Sequence, residues 1–345
     1  MAYTTINKSS DYFNTKLYTG NATDDTAITG VGFTPSFLWG KNRTDATNHY
    51  FIDAVRGVTK EINSNNSDAE GTDATLIKSF DSDGFTLGNG SLNQSSKDFV
   101  TWNWKANGQG SANSDGSINT TYTSANTTSG FSISTVTLSG SGNQTFGHGL
   151  GVTPSLIIFK CTSHAESWKV YHSSLSSPES KYLQLNTTDE AGNASNIWGA
   201  GMTSSTVGVK VGTIGTAGQD YVAYCFAEKK GFSKFGSYTG NGNADGSFVY
   251  TGFKPAFVLG KNATVAGQHW FMNDNKRGIN GGSNWFKADG SNAELTNLVN
   301  CDLLSNGFKL RNNNDIFNDS GETFIYMAFA EAPLVGNNNV PANAR

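Results

Sequence analysis

The chain has 345 residues, a net charge of −4 and only 15% charged residues. That balance lacks the basic footprint of a nucleic-acid binder. With 40 Gly and 12% aromatics, it speaks for β-structure punctuated by turns and leaves little room for long amphipathic helices.

Residues 1–16 are polar and irregular and are expected to form an N-terminal arm or a disordered lead. A first repeat is expected over 17–106. It opens on Leu17-Tyr18-Thr19-Gly20-Asn21 and reaches Gly32-Phe33-Thr34-Pro35-Ser36-Phe37-Leu38-Trp39-Gly40-Lys41-Asn42. The latter reads as a turn and then a buried strand, because Pro fixes φ and lacks an N–H, which suits the first residue of a strand and not its middle. Asn48-His49-Tyr50-Phe51-Ile52-Asp53, Arg56-Gly57 and Ser79-Phe80-Asp81-Ser82-Asp83-Gly84-Phe85 follow, and the repeat closes with Phe99-Val100-Thr101-Trp102-Asn103-Trp104. Residues 107–128 have the Gly/Ser/Asn/Thr composition of a flexible linker.

A looser second repeat, 129–230, places Pro154 before Leu156-Ile157-Ile158-Phe159-Lys160 and closes with Tyr221-Val222-Ala223-Tyr224-Cys225-Phe226. The third, 231–335, resembles the first closely, with Pro255 before Phe257-Val258-Leu259, Arg277-Gly278, and the closing run Phe324-Ile325-Tyr326-Met327-Ala328-Phe329. Tyr18 and Tyr238, Pro35 and Pro255, Lys41 and Lys261, and His49 and His269 are each 220 residues apart. Residues 336–345 are expected to form a C-terminal tail.

Period-two alternation puts Val100, Trp102 and Trp104 on one face of the first closing strand. Val222, Tyr224 and Phe226, and then Ile325, Met327 and Phe329, take the same place in the others. A wide face in the domain core and a smaller one against a neighbour is the expectation for a two-layer sandwich. The fold expected is all-β, three tandem antiparallel β-sandwiches of jelly-roll or concanavalin-like type. Pro35, Pro154, Pro255, Trp102, Tyr224 and Met327 mark the structural repeat.

Chemistry is sparse. Cys161, Cys225 and Cys301 show no C-x-x-C spacing, so neither a disulfide framework nor a zinc site is expected. His49 and His269 lack a partner ligand at a recognisable offset and read as packing residues. Asp81-Ser82-Asp83-Gly84 begins like a calcium loop but lacks its later ligands, so a turn is the better reading, although Asp24, Asp25 or Asp68 could join a loop site. Glu228 and Glu331 end matched strands without a third counterpart, and no nucleophile motif or phosphate loop is present. No enzyme activity, metal or cofactor is expected. Trp168, Tyr171, Trp198 and Trp285 fall outside the repeated strands and are candidates for stacking on sugar faces; Trp270, also outside, equally suits plugging the end of a sandwich.

The blocks at 18–21, 32–43, 56–57, 79–88 and 99–108, with the ending at 324–345, resemble a domain of marine bacteriophage virion proteins. Those proteins are described as tail-fibre-like or as carrying SPRY or concanavalin-like sandwiches. The resemblance implies a virion protein folded in the host cytoplasm, in keeping with the absence of a signal peptide at Met1-Ala2-Tyr3-Thr4-Thr5. It implies assembly with other virion proteins as a homo-oligomer, a trimer above all, with host-surface glycan as a further partner and neither nucleic acid nor membrane insertion. A tail fibre or appendage is the first reading, a capsid decoration or head fibre the alternative, and a polysaccharide depolymerase the third.

Overall fold

The structure, a computed structural model, describes residues 4–199, 201–278, 284–296, 298–333 and 335. The chain is all-β, built from several open sheets whose strands pair antiparallel. The α-helical part among the described residues is one turn at Asp315–Asn318, and no helix is long and apolar enough to cross a membrane.

Three large sheets share one strand order. In the first, β1 (Phe13–Thr19), β2 (Phe37–Asn42), β3 (His49–Asp53) and β4 (Asp98–Trp104) lie in the order β1-β4-β2-β3. In the second, β5 (Phe131–Thr137), β6 (Leu156–Cys161), β7 (Lys169–His172) and β8 (Asp220–Phe226) lie as β5-β8-β6-β7. In the third, β9 (Ser233–Thr239), β10 (Phe253–Asn262), β11 (Phe271–Asp274) and β12 (Thr323–Pro333) lie as β9-β12-β10-β11. A smaller sheet accompanies each: Thr26–Thr29 with Gly84–Leu87 and Ile77–Asp81, Gly142–Gly147 with Thr206–Val211, and Phe248–Tyr250 with Gly307–Leu310 and Cys301–Leu304.

The central strands of the large sheets are buried along almost their whole length, because both of their faces are covered. The smaller faces meet the small sheets over local clusters: Leu38, Phe85 and Phe99; Phe159, Val207 and Tyr221; Val258, Phe308 and Phe324. The wide faces meet each other. Trp39, Trp102 and Trp104, Ile158, Tyr224 and Phe226, and Leu259, Met327 and Phe329 belong to one continuous core. Thus the alternation in the closing strands is as expected but its meaning is reversed: the wide face joins neighbours and the small face closes the local pair of sheets. Tilted and edge-on rings knit this centre, including Phe37 with Tyr224 at 4.6 Å and Trp104 with Phe257 at 5.9 Å.

Four further expectations change. Within the expected arm, residues 4–16 are docked and not loose, since Ile6 and Phe13 are buried in the shared core and Phe13 lies 5.1 Å from Phe329. The 107–128 segment contains a strand, Tyr122–Asn126, that pairs with β5. Pro255 sits inside β10 and not at its start, tolerated there by a bulge that interrupts the ladder on both sides of it. His49 and His269 are not equivalent, because Phe37 faces Asp53 while Phe257 faces Asp274, an offset of 221 that slips the register by one. The tail 336–345 lies outside the described residues.

The Asp83-Gly84 turn behaves as predicted. Asp83 accepts from the amides of Gly30 and Gly32, which hold its carboxyl below the usual range. Gly84 has φ 152°, and a Cβ there would stand 1.9 Å from the Ile28 carbonyl oxygen.

Phe13→Ala should cost about 3–5 kcal/mol by urea unfolding, the range for a buried Phe. A midpoint unchanged from the parent chain would return residues 1–16 to the status of a dispensable arm.

Candidate functional site

Polar side chains buried at the edges of a shared aromatic core need partners, and here they find them across the joints between the three parts of the chain. The residue paired with Phe37, Leu156 or Phe257 is Asp53, His172 or Asp274, respectively. Asp53 Oδ2 accepts from Tyr224 Oη at 2.8 Å and from Arg56 Nε at 2.7 Å. Asp274 Oδ2 accepts from Trp102 Nε1 at 3.0 Å and from Arg277 Nε at 2.6 Å. His172 Nε2 donates to the Tyr326 carbonyl at 3.0 Å, while the Ser174 amide donates to Nδ1, so the ring is held as one neutral tautomer. The first part therefore reaches the second, the second the third, and the third the first.

Both arginines are extended by a glutamate. Glu70 accepts from Arg56 Nη1 at 3.0 Å, and Glu294 accepts from Arg277 Nη1 at 2.9 Å and from Arg43 Nη2 at 2.8 Å. Their amides close the same ring through Glu70 N to Thr162 O and Glu294 N to Arg43 O, with Ala191 N to Ala263 O as the third instance, each 2.9 Å. Burial pushes the Tyr224 hydroxyl upward, so it stays a donor to Asp53. The Arg277 guanidinium lies over the Phe286 ring at 4.4 Å and the Trp102 ring at 5.3 Å.

Lys41, Lys160 and Lys261 form a second ring. Each bonds the carbonyl of the next residue and one carbonyl of another part: Lys41 to Ser291 at 3.3 Å, Lys160 to Ser67 at 3.2 Å and Lys261 to Thr188 at 3.3 Å. Trp168 and Trp270 repeat the pattern. Trp168 Nε1 donates to the Asn63 and Asn66 carbonyls, and Trp270 Nε1 to that of Gln184. His49, at the register position of Trp168 and Trp270, accepts from Trp39 and lies beside the backbone of Lys287 and Gly290.

These arrangements tie the three parts of the chain together, and Arg56 and Glu70 also line a cleft of about 420 Å³ with Thr162, Asp220 and Tyr221. Four of the other acidic candidates are also paired: Glu228 with Lys234 at 2.8 Å, Glu331 with Lys254 at 2.7 Å, and Asp24 and Asp25 with Lys78. The stacking candidates are not on the surface. Trp168, Trp198 and Trp285 are buried, as is Trp270, and Tyr171 is 4% exposed. As sugar platforms they are corrected to core residues, because being outside the repeated strands did not put them outside the core.

The exposed aromatics are Phe248, at 47%, and Tyr250, at 55%, among the described residues. They alternate with buried Val249 on the strand Phe248–Tyr250, so both point outward from one face about 7 Å apart along the chain. That strand is the edge of its small sheet. Beside Tyr250 is a cleft of about 350 Å³ lined by Glu228, Lys234 and Thr251. Next to Phe248, its cross-strand neighbour Lys309 pairs with Asp245 at 2.9 Å. The sequence signal was the alternation Phe-Val-Tyr, which does not itself say which face is outside.

Two predictions follow from the rings. Asp53→Asn removes the charge that partners a buried guanidinium and should cost about 3–5 kcal/mol. Tyr224→Phe should cost less, about 1.5–3 kcal/mol; equal costs in chemical denaturation would deny Asp53 its place at the centre of the joint. Burial also pulls Lys41 down to about 7 and Lys261 down to about 8. The unfolded chain keeps these protons to about pH 10, so it binds more protons than the folded chain and stability rises between about pH 7 and about pH 9. Above that the buried Cys225 and Cys301 thiols, pushed up to about 12, oppose the trend. The thermal midpoint should climb over this window and climb less in Lys41→Met/Lys261→Met; a flat profile for the parent chain would contradict the burial of charged amines.

Comparisons with curated proteins and with solved structures give no match. The family described as a domain of unknown function, DUF7483, matches over residues 8–333, which takes in all three large sheets. The chain belongs to that family.

Proposed function

We propose that the chain is a non-enzymatic structural and adhesive component of a phage virion, a tail fibre or appendage that binds host-surface glycan. The virion assignment rests on the resemblance carried by residues 18–21, 32–43, 79–88 and 99–108. The adhesive assignment rests on one observation: Phe248 and Tyr250 stand exposed on one face, flanked by charged pairs that can bond hydroxyls. An aromatic face offers apolar area at low entropic cost, and exposed apolar patches on otherwise polar surfaces mark contact sites. In this reading the chain is three copies of a β-sandwich unit, each a large sheet over a small one, closed into a ring. Its titratable clusters serve that closure, which is why no enzymatic role is assigned. The same internal use of polar groups supports a second reading, a capsid decoration with a purely structural role and the same homo-oligomeric, virion-borne setting.

The test is a printed array of bacterial surface glycans probed with the purified full chain and with Phe248→Ala/Tyr250→Ala. The adhesive reading expects binding to a defined glycan class that falls about 10-fold or more in the variant, the equivalent of about 1.4 kcal/mol. Binding that the variant leaves intact, or none across the array, would remove the glycan and leave the structural reading.

A further inference from the structure

The second part of the chain departs from the other two at one point of the repeat. After the buried lysine, the first and third parts carry Asn42 and Asn262. Asn42 Oδ1 accepts from the Thr44 and Asp45 amides, and Asn262 Oδ1 from the Thr264 and Val265 amides, so each asparagine caps the loop that follows it. At the same place the second part carries Cys161, at the end of β6, which has no such acceptor. The loop returns His164 to the sulfur, with Sγ to Nδ1 at 3.1 Å. Two residues on, Glu166 lies 3.7 Å from His164 Nε2. One ligand atom from each of Cys161, His164 and Glu166 lies within 4.8 Å of the other two.

We propose that Cys161, His164 and Glu166 form a binding site for a divalent cation of the zinc class. Thiolate, imidazole and carboxylate are the donor set that zinc takes, and at zinc's bond lengths the ligand atoms of a tetrahedral site stand about 3.3–3.7 Å apart. The thiol and imidazole are already nearer than that, and closure asks for small side-chain movements. Binding breaks the Cys161 S–H bond and forms a sulfur–metal bond, with the proton released to solvent and no change of oxidation state. The fourth position is left to water or to the Gln219 side-chain oxygen, which lies 3.2 Å from His164 Nδ1.

The surroundings orient the ligands as outer partners do in metal sites. Tyr221 Oη donates to Glu166 at 3.0 Å, and Ser163 Oγ ties the loop to Gln219 at 2.7 Å and to the Asp220 amide at 2.9 Å. Cys161 is buried while the His164 side chain is 40% exposed, so an ion can enter from the solvent side and meet the sulfur from there. Cys225 and Cys301, also buried and free, have no part in such a group among the described residues. The Glu166 amide donates to the Ser67 carbonyl, which also receives Lys160 Nζ. A bound ion would therefore fix the loop that meets the first part of the chain. The sequence signal is the spacing Cys161-x-x-His164-x-Glu166, in a chain whose cysteines lack any C-x-x-C.

The experiment is titration of the reduced full chain with Co²⁺, read by the thiolate-to-cobalt charge-transfer band, and with Zn²⁺, read by thermal midpoint and by displacement of cobalt. One equivalent of cobalt giving that band, a midpoint raised by zinc, and loss of both in Cys161→Ser and His164→Ala are expected. Cys225→Ser should keep both, and Glu166→Gln should weaken zinc about 10-fold or more. His164 is partly exposed, so His164→Ala tests the site even where a change at Cys161 impairs folding. No thiolate band with the parent chain, or a band and midpoint shift that survive in His164→Ala, would overturn the assignment.

Discussion

The three large sheets have wide apolar faces that their own small sheets do not cover, and everything else in the molecule follows from where those faces go. A face carrying Val100, Trp102 and Trp104 cannot be left in water; at about 25 cal/mol per Å², exposing such a row would cancel much of a domain's net stability. Two such sheets could cover each other. Three with matched strand order pack around a common centre instead, and the rings of Phe37, Trp104, Tyr224, Phe257 and Phe329 fill it.

Packing around a centre fixes what the joints must do. Each of β2, β6 and β10 carries, one residue before its end, a lysine that is buried because the neighbouring part covers it, and each of β3, β7 and β11 carries a polar residue facing the next closing strand. Left unpartnered, such groups would oppose assembly by several kcal/mol each. The contacts run in one direction around the molecule, so the ring closes after three steps, as a heterologous interface closes in an oligomer. Here the three copies of the interface lie in a single chain. They are not chemically identical. Asp53 and Asp274 use arginine-buttressed carboxylates, whereas His172 bonds a backbone carbonyl. Buried ion pairs contribute little net stability against apolar replacements, but they penalise a wrong neighbour strongly. Unlike joints help to specify which part docks on which.

Much of this was legible in the residues. The turn-and-strand signals at Pro35 and Pro154, the Asp83-Gly84 turn, and the alternation of Val222, Tyr224 and Phe226 all depend on local stereochemistry and read directly. What did not read directly depends on long-range packing. A period of two says that a strand has two faces but not which one meets its own small sheet, so the wide face can equally close a local sandwich or join a neighbour, and here it joins neighbours. Phe13 and Ile6 sit in a polar stretch with no periodicity, and only the third part's Phe329 reveals why they are buried. Trp168 and Trp270 look like loop residues because the carbonyls they serve belong to another part. Phe248 and Tyr250 look like core because Val249 between them is. The one-residue slip after Lys261 separates His49 from His269, and an equal sequence offset hid it.

If the common core is what holds the chain together, its three parts cannot melt independently. Differential scanning calorimetry of the full chain is the direct test, comparing the calorimetric enthalpy with the van't Hoff enthalpy. A shared core predicts one transition with a ratio of about 1. Resolved transitions, or a ratio approaching about 3, would mean three self-sufficient domains and would contradict the account.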